Sequence, residues 1–373
     1  MLPSVVVASV LCWCLPGLGL AQRAENQLDA YPQGPAAIPL LHEIWAFSEA
    51  TIFPRSLAQR FDAQALLKFE GLLRSPNEVA LADALNPFLE SLGVSHTRLY
   101  DVRHQTYYLQ RSLFSTRDLD APQLHTIGVQ FDELDPAIVQ AVMEQSPAAI
   151  AGLQRGERIV AVNGASFQSL LQWQQTLPTR FTVRGAQGDR DVALTPVRQS
   201  LHRALAEATA RSREIYECGS RRIAYFHLWS GTHPIFLEAL NHAVADTRQH
   251  GVNGFVLDLR DGYGGAWWDY LDPFFPSRDD YFQFIADDAR GAGEPMRAEP
   301  RTNAAFWDGP LAVIINRGTR SGKEALAFQF KKTGRATLFG ERTSIPVAEL
   351  PGTDAPLAAA LDHLACGAVV SAD

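Results

Sequence analysis

Lysine, cysteine and long apolar runs are all scarce in this chain, and each scarcity excludes a class of protein. The formal net charge of the 373 residues is -8, which argues against a nucleic-acid partner. The 4 cysteines form no CxxC pair, and neither an HExxH zinc motif nor a nucleotide-binding glycine loop occurs. We therefore expect no metal and no cofactor. The few lysines are Lys68, Lys323, Lys331 and Lys332.

The N-terminus has the pattern of an export signal. An apolar run extends from Val5 to Leu20, and Gly19 and Ala21 are small residues at the -3 and -1 positions of a cut before Gln22. An uncleaved membrane anchor is the alternative, but the run is short for a span and Pro16 interrupts it. We predict an exported protein, periplasmic or secreted, with no stable membrane span after cleavage.

Three regions follow the signal, each with its own periodicity. Residues 27 to 95 show apolar positions at helical spacing, whereas residues 123 to 197 show short alternating strands. Within the second region we predict a helix from Asp135 to Gln145 between the strands HTIGVQF and ERIVAVNG. From residue 201 a polar helix is followed by strands and helices in alternation, which indicates an α/β domain with a mostly parallel sheet.

The most specific string, SPAAIAGLQRGERIVAVNG, covers residues 146 to 164. Its glycines permit turns, its Ile and Val residues fit a strand, and Asn163-Gly164 is a favourable hairpin turn. The string resembles the core of a PDZ domain, a module that binds an extended peptide C-terminus by strand addition. A PDZ-like fold kept only for packing is the alternative. The resemblance implies protein or peptide C-termini as partners, and the candidate peptide-binding residues are Ile127, Gly128, Val129, Val139 and Val142.

Two glycine-bearing loops in the last region carry the candidate chemistry. They are VLDLRDGYGG, residues 256 to 265, and INRGTRSGKEALAF, residues 315 to 328. A serine in a tight turn that begins a helix is well placed as a nucleophile, because the helix N-terminus stabilises developing negative charge. Ser321 has this position, and Gly322 after it permits close approach to the backbone. A plain helix cap, with Glu324 completing a capping box, is the other interpretation.

Together with the PDZ string, these loops resemble the C-terminal-processing (tail-specific) serine proteases, and the match runs from about residue 90 to residue 343. The resemblance places Ser321 at the nucleophile position and implies an oxyanion hole formed by Gly322 with Gly264 or Gly265. It also implies an α/β core of the ClpP/crotonase type. The shared residues are Asp258-Leu259-Arg260, Gly264-Gly265, Asn316, Gly318, Ser321, Glu324, Gly334-Arg335-Ala336 and Gly340-Glu341.

The chain departs from this family at the general base. Many members use a lysine 25 residues after the nucleophile, but that position is Pro346 here. The tricorn-like branch uses histidine instead, which makes His96 the candidate base with Ser95 assisting, and His104 the substitute. The orienting acid of that branch would fall beyond Asp373, so the resemblance implies a core that is truncated or frame-shifted at its C-terminus.

We therefore predict an α/β protein with an N-terminal helical region, a PDZ-like β/α module and a peptidase core. The expected function is a serine endopeptidase that recognises protein C-termini through the PDZ module and cleaves with Ser321. A peptide-binding pseudoenzyme and a ligand-carrying relative of the core are the alternatives. The predicted boundaries are 1–21 for the signal, 22–118 for the helical region, 119–200 for the PDZ domain and 201–373 for the core.

Overall fold

The computed structural model describes residues 6–8, 78–92, 98–113, 121–284, 287–288, 291–292, 294–341 and 354–366. Most of the predicted signal and the predicted helices between residues 27 and 77 therefore lie outside the described residues. The chain divides into two compact units. The first comprises Met1–Phe114 with Asp287–Gly293, and the second comprises Ser115–Ala286 with Glu294–Asp373.

The described residues of the first unit form two helices and two short strand pairs. The helix α1 begins at Glu78, and the amide of Asn86 on α1 exchanges two hydrogen bonds with the backbone of Leu99. The strand β1 pairs antiparallel with β2, and β14 pairs antiparallel with β15. The elements are β1 (Val6–Ala8), α1 (Glu78–Ser91), β2 (Arg98–Tyr100), α2 (Gln105–Leu113), β14 (Asp287–Asp288) and β15 (Gly291–Ala292).

The second unit begins with the strands of the predicted PDZ region. Its largest sheet has the order β7-β6-β8-β9, while β4 pairs with β5 and β3 pairs with β10. The strands β8 and β9 are antiparallel neighbours joined by a tight turn, since β8 ends at Gly185 and β9 begins at Gly188. The elements are β3 (Leu124–Thr126), β4 (Val129–Phe131), β5 (Val139–Val142), α3 (Pro147–Ile150), β6 (Arg158–Val162), β7 (Ala165–Ser166), β8 (Thr179–Gly185), β9 (Gly188–Leu194) and β10 (Val197–Gln199).

The helix predicted from Asp135 to Gln145 is wrong, because residues 139–142 form the strand β5. On one side β5 pairs with β4, and on the other the backbone of Val139 bonds to Gly156 and Glu157 at 2.8 Å. The segment IVQAV is rich in β-branched residues, and this two-sided pairing satisfies its backbone groups as a strand. Val139 and Val142 therefore lie on a strand, and Val139 is fully buried.

The remainder of the second unit is an α/β core around one five-stranded sheet of order β11-β12-β13-β16-β17. The strands β12, β13, β16 and β17 are mutually parallel, which confirms the predicted parallel sheet, and β11 is an antiparallel edge strand that the sequence did not predict. The elements are α4 (Leu201–Arg211), β11 (Glu214–Cys218), β12 (Arg221–His227), α5 (Pro234–Gln249), β13 (Gly254–Asp258), β16 (Leu311–Ile315), α6 (Gly322–Lys332), β17 (Thr337–Gly340) and α7 (Ala355–Cys366).

The two faces of this sheet are covered by different helices. On one face Phe255 packs against Phe274, which in turn contacts Phe330 of α6. On the other face the helix α7 places Ala360 and Leu364 in a buried cluster with residues of β12, β13 and β16. The carboxyl ends of the parallel strands, where loops carry ligands and catalytic groups in such folds, meet at one edge of the sheet. Among the described residues, no helix is long and apolar enough to cross a membrane.

Candidate active site

Ser321 lies at the end of the loop that follows β16, where the chain turns into α6. Its backbone has φ 58° and ψ -128°, a left-handed conformation that is strained for a residue with a side chain. Asn316 and Thr319 hold the loop, because Asn316 N–H donates to Thr319 Oγ1 at 3.0 Å and Thr319 N–H donates to Asn316 O at 2.9 Å. The N–H of Ser321 donates to Glu324 Oε2 at 2.9 Å, so Glu324 fixes the turn. This leaves Ser321 half-buried at a helix N-terminus.

The glycine loop after β13 lies directly against this turn. A Cβ atom added to Gly264 would come within 2.7 Å of Ser321 Cβ and 3.3 Å of Ser321 Oγ. A Cβ at Gly322 would lie 1.4 Å from the carbonyl oxygen of Gly265. Only glycines permit backbones to approach this closely. The structure therefore brings together four of the predicted site residues: Gly264, Gly265, Ser321 and Gly322.

Free backbone donors are available beside Ser321. Within the described part of the chain, the N–H groups of Gly264, Gly265 and Gly322 take no part in backbone hydrogen bonds, whereas Gly264 O accepts from Gly231 N–H at 2.9 Å. Gly322 is the first residue of α6, so its N–H also carries the positive end of the helix dipole. Donors of this kind stabilise the oxyanion of an acyl-transfer intermediate.

The side chain of Lys323 leaves the helix on the buried side of the loop. It is fully buried, and Nζ donates to the carbonyl oxygens of Leu228 at 3.2 Å and Arg260 at 3.3 Å, and to that of Asp261. Burial lowers the pKa of Lys323 to about 7, although the charges of Asp261 and Asp258 act in the opposite direction. Residues two apart on a helix do not face the same side, and the contacts of Lys323 accordingly lie away from Ser321.

A buried ion pair holds the start of the same loop. Arg260 bonds Asp258 from both its backbone and its guanidinium, and it also donates to both carboxylate oxygens of Asp354 at 2.8 and 2.7 Å. Tyr225 O–H donates to Asp258 Oδ2 at 2.8 Å. Burial opposes ionisation of Asp258, but Arg260 and His227 outweigh it and hold the pKa of this carboxyl well below its usual range. Asp354 precedes α7, so this ion pair joins the loop to the C-terminal helix.

Strands of the PDZ region contact the loop at Asp261 and Gly262. Gln140 Nε2 on β5 donates to Asp261 Oδ1 at 2.9 Å, and Arg155 forms an ion pair with the same carboxylate. Gln130 on β4 accepts from Gly262 N–H at 2.7 Å. Asp261 has φ 46°, another left-handed non-glycine residue. The backbone before the candidate oxyanion donors is therefore positioned by the PDZ strands as well as by the core.

A further contact between the PDZ region and the core surrounds His227 at the end of β12. Glu144 Oε1 lies 2.8 Å from His227 Nδ1, and Glu144 Oε2 accepts from Trp229 Nε1 at 2.5 Å. Burial disfavours the charged imidazole, but Asp258 and Glu144 outweigh burial and raise the pKa of His227. His227 and Glu144 line a cavity of about 790 Å³ at the carboxyl edge of the sheet, together with Arg155, Tyr225 and Arg260.

The predicted peptide-binding residues lie around the short strand β4. Ile127 and Val129 are buried, and Gly128 has φ 80°. A Cβ at Gly128 would lie 2.1 Å from Ser146 Cβ, and the Ser146 hydroxyl donates to Gly128 O at 3.1 Å. The backbone at Gly128 is thus held against the start of α3. The binding role of Ile127, Gly128, Val129, Val139 and Val142 stays a prediction.

The structure does not describe the predicted general base. His96 and Ser95 fall outside the described residues. His104, the substitute, lies in the first unit with Nδ1 3.3 Å from Asp101 Oδ1. Within the described residues no group of His, Cys, Asp and Glu has the arrangement of a metal site. Sequence reasoning missed Gln130, Gln140 and Glu144, and no local motif marks them.

Comparison with known proteins identifies both regions. Residues 222–345 match the profile of peptidase family S41, and residues 138–184 match that of a PDZ domain. The chain is 28% identical over 224 residues to carboxyl-terminal-processing peptidase 2, chloroplastic, of Arabidopsis thaliana, covering 55% of this chain and 41% of the relative. It is 25% identical over 256 residues to carboxy-terminal processing protease CtpA of Bacillus subtilis, covering 65% and 52%.

These relatives are longer than the matched part, and the chain spans about half of their length. The solved structure of the photosystem II D1 C-terminal processing protease is similar with a TM-score of 0.50 and 21% identity, over 81% of this chain and 80% of that chain. This similarity shows a shared fold. The predicted resemblance to the C-terminal-processing proteases with a PDZ domain, and the predicted α/β fold class, are confirmed.

Proposed function

We propose that this chain is a serine endopeptidase that binds protein C-termini through its PDZ domain and cleaves peptide bonds with Ser321. The observation that carries the proposal is the contact between Ser321 and Gly264, at a helix N-terminus with free backbone donors. The match of residues 222–345 to peptidase family S41 supports the same reaction class. Export to the periplasm or outside the cell, through the signal of residues 1–21, is part of the proposal.

The reaction follows the general course of serine acyl transfer. Ser321 Oγ attacks the carbonyl carbon of the scissile bond while the base takes its proton. The N–H of Gly322, with that of Gly264 or Gly265, stabilises the oxyanion. The base returns the proton to the leaving amine as the C–N bond breaks, and water then hydrolyses the ester to Ser321 by the same steps in reverse order.

We assign the base to His96, with Ser95 assisting, by resemblance to the tricorn-like branch. Lys323 does not suit this role, because its Nζ donates to three backbone carbonyls on the buried side of the loop. These contacts hold Nζ at the backbone of Leu228, Arg260 and Asp261, and among the described residues no hydrogen bond joins it to Ser321 Oγ. His104 is the second candidate, and Asp101 lies close enough to orient its ring.

Covalent labelling tests the nucleophile. A fluorophosphonate probe should label the purified full chain, and Ser321→Ala and His96→Ala should each abolish the labelling. Ser220→Ala removes a serine in an exposed turn and serves as the matched control. A wild-type chain that folds, binds tail peptides and is never labelled would point to a peptide-binding pseudoenzyme instead.

Peptide binding tests the PDZ role separately. Peptides with a free C-terminal carboxylate should bind, and the same peptides should lose affinity when amidated. Gly128→Ala should weaken peptide binding because the added Cβ would collide with Ser146. Gly164→Ala is the control, because Gly164 has a similar φ of 84° but the atom nearest to an added Cβ is 3.5 Å away. Equal affinity for free and amidated peptides would contradict recognition of C-termini.

A further inference from the structure

Lys323 is a buried charge that the proposed reaction does not use. It is fully buried, one of only four lysines in the chain, and two residues from the nucleophile. Burying an ammonium group is costly unless its donors are satisfied. A residue retained at such a cost beside Ser321 requires a physical reason.

The partners of Lys323 indicate that reason. Its three donors point at the carbonyls of Leu228, Arg260 and Asp261. Leu228 follows β12, while Arg260 and Asp261 lie three to four residues before Gly264, whose backbone lies against Ser321. The ammonium group of Lys323 on α6 therefore bonds to two backbone segments, the one that follows β12 and the one that follows β13.

We propose that Lys323, as an ammonium ion, is a positioning residue that fixes the glycine loop 262–265 relative to the nucleophile helix. The inference rests on the proposed function, since the loop matters only if Gly264 or Gly265 supplies an oxyanion donor. Lys323 itself touches neither the substrate nor Ser321 Oγ. It acts through the backbone of Arg260 and Asp261.

The charges that face Lys323 are all engaged with other groups. Asp258 and Asp261 favour the ammonium form, and Arg320 disfavours it. The carboxylates of Asp258 and Asp261 are bonded by Arg260 and Gln140, and Arg320 pairs with Glu133. His227 Nε2 lies 3.0 Å from the same Arg260 carbonyl oxygen that Lys323 bonds. None of these groups replaces the third donor that Lys323 loses on deprotonation.

Protonation sets the number of bonds that Lys323 makes. The ammonium ion has three N–H donors for three carbonyls, whereas the neutral amine has two donors and a lone pair that repels the third carbonyl oxygen. Because burial lowers the pKa of Lys323 to about 7, this change in protonation falls near neutral pH. Activity should therefore decline as pH rises above this value.

The free energy of unfolding should rise with pH, whereas the activity should fall. The folded-state pKa lies below that of an unfolded lysine, so the unfolded chain binds more protons between about pH 7 and the usual lysine value. Over that interval the contribution of Lys323 to the free energy of unfolding rises with pH. Deprotonation makes the burial of Lys323 less costly over this pH interval. If Lys323 had only a structural role, kcat would not fall over the same interval.

The experiment compares the wild type, Lys323→Met and Lys331→Met as full chains. Lys331→Met makes the same change at an exposed position of the same helix. We would measure kcat and KM for a tail peptide from about pH 6 to about pH 9, and the rate of fluorophosphonate labelling. Since loss of an oxyanion donor costs about 100-fold or more in kcat, a displaced loop should cost at least about tenfold.

The expected result is a lower kcat in Lys323→Met with a nearly unchanged KM, and loss of the alkaline decline that the wild type and Lys331→Met show. A Lys323→Met chain with the kcat and the alkaline decline of the wild type would overturn the proposal. If Lys323→Met does not fold, the wild-type profile decides alone, and a flat alkaline side overturns the proposal.

Hydrogen exchange separates this inference from the proposed function. If the wild type neither cleaves nor is labelled, the proposed function fails, but the effect of Lys323 on the glycine loop can still be measured. Amides of residues 261–266 should exchange faster in Lys323→Met at constant pH, with α5 as the internal reference. In the wild type the ratio of exchange in the loop to exchange in α5 should rise above about pH 7. Unchanged exchange by both measures would overturn the proposal.

Discussion

Glu144 and His227 form a contact between the PDZ region and the peptidase core, with Glu144 Oε1 2.8 Å from His227 Nδ1. The other ring nitrogen of His227 lies 3.0 Å from Arg260 O, so both nitrogens face acceptors. An imidazole with two acceptors is most stable as the doubly protonated cation. This relationship explains why the pKa of His227 is raised even though burial alone would lower it.

Glu144→Gln should lower the pKa of His227, because it removes a charge that favours the imidazolium. The stabilisation from a raised pKa is fully present below the usual histidine pKa and is lost as pH rises through the folded-state value. Glu144→Gln should therefore destabilise the protein by about 1 kcal/mol at low pH and by less at high pH. NMR titration of His227 and urea unfolding at several pH values measure both effects. Glu217→Gln, at an exposed ion pair, should change neither.

Gly322→Ala should abolish labelling of Ser321 and destabilise the core by about 1–3 kcal/mol. The added Cβ would lie 1.4 Å from Gly265 O and 2.3 Å from Ala266 O, so the loop must move away from the nucleophile. Probe labelling and thermal unfolding would report the two effects. Gly219→Ala is the control, since its φ is 65° but no atom lies within 4 Å. Full labelling of Gly322→Ala would refute the close approach.

Leu364→Ala should lower the free energy of unfolding by about 2–4 kcal/mol. Leu364 is 3% exposed and packs with Ile223, Val256 and Ile314 on the sheet. Chemical denaturation gives the measurement, with Leu134→Ala as a control at a residue that is 81% exposed. A loss as small as that of the control would show that α7 does not pack on the sheet as described.

Asp354→Asn should weaken the ion pair that joins the start of α7 to Arg260, before the glycine loop. Arg260 would lose one charged partner of its buried guanidinium, and we expect a loss of about 1 kcal/mol. The comparison is Asp362→Asn on the same helix, at an exposed carboxylate. Unfolding by denaturant and the labelling rate of Ser321 would show whether the ion pair acts on stability alone or also on the loop. Equal stability of the two variants would contradict the pairing.

The parts of the site predicted from sequence are those that depend on local chemistry. The strands and helices of the core follow from apolar periodicity, and the turn at Ser321 follows from glycine placement and Glu324. The candidate oxyanion glycines were implied by the resemblance, and the structure brings them together with Ser321. These features are each encoded within a few neighbouring residues.

The parts that sequence did not predict depend on distant partners. The strand β5 was predicted as a helix because its apolar spacing fits both, and only its pairing with β4 and Gly156 decides between them. Glu144 and His227 are 83 residues apart, so no window of sequence shows their contact. The edge strand β11 pairs on one side only and has no buried residue, so it lacks the alternation of buried and exposed positions that marks a strand.

The carbonyls that Lys323 bonds lie 62, 63 and 95 residues earlier in the chain. The turn at Ser321 is therefore assembled from segments that meet only when the sheet is complete. A nascent or partly unfolded chain has Ser321 but not the surroundings that would make it reactive. The surroundings of Ser321 are therefore a property of the completed sheet and not of the local sequence around it.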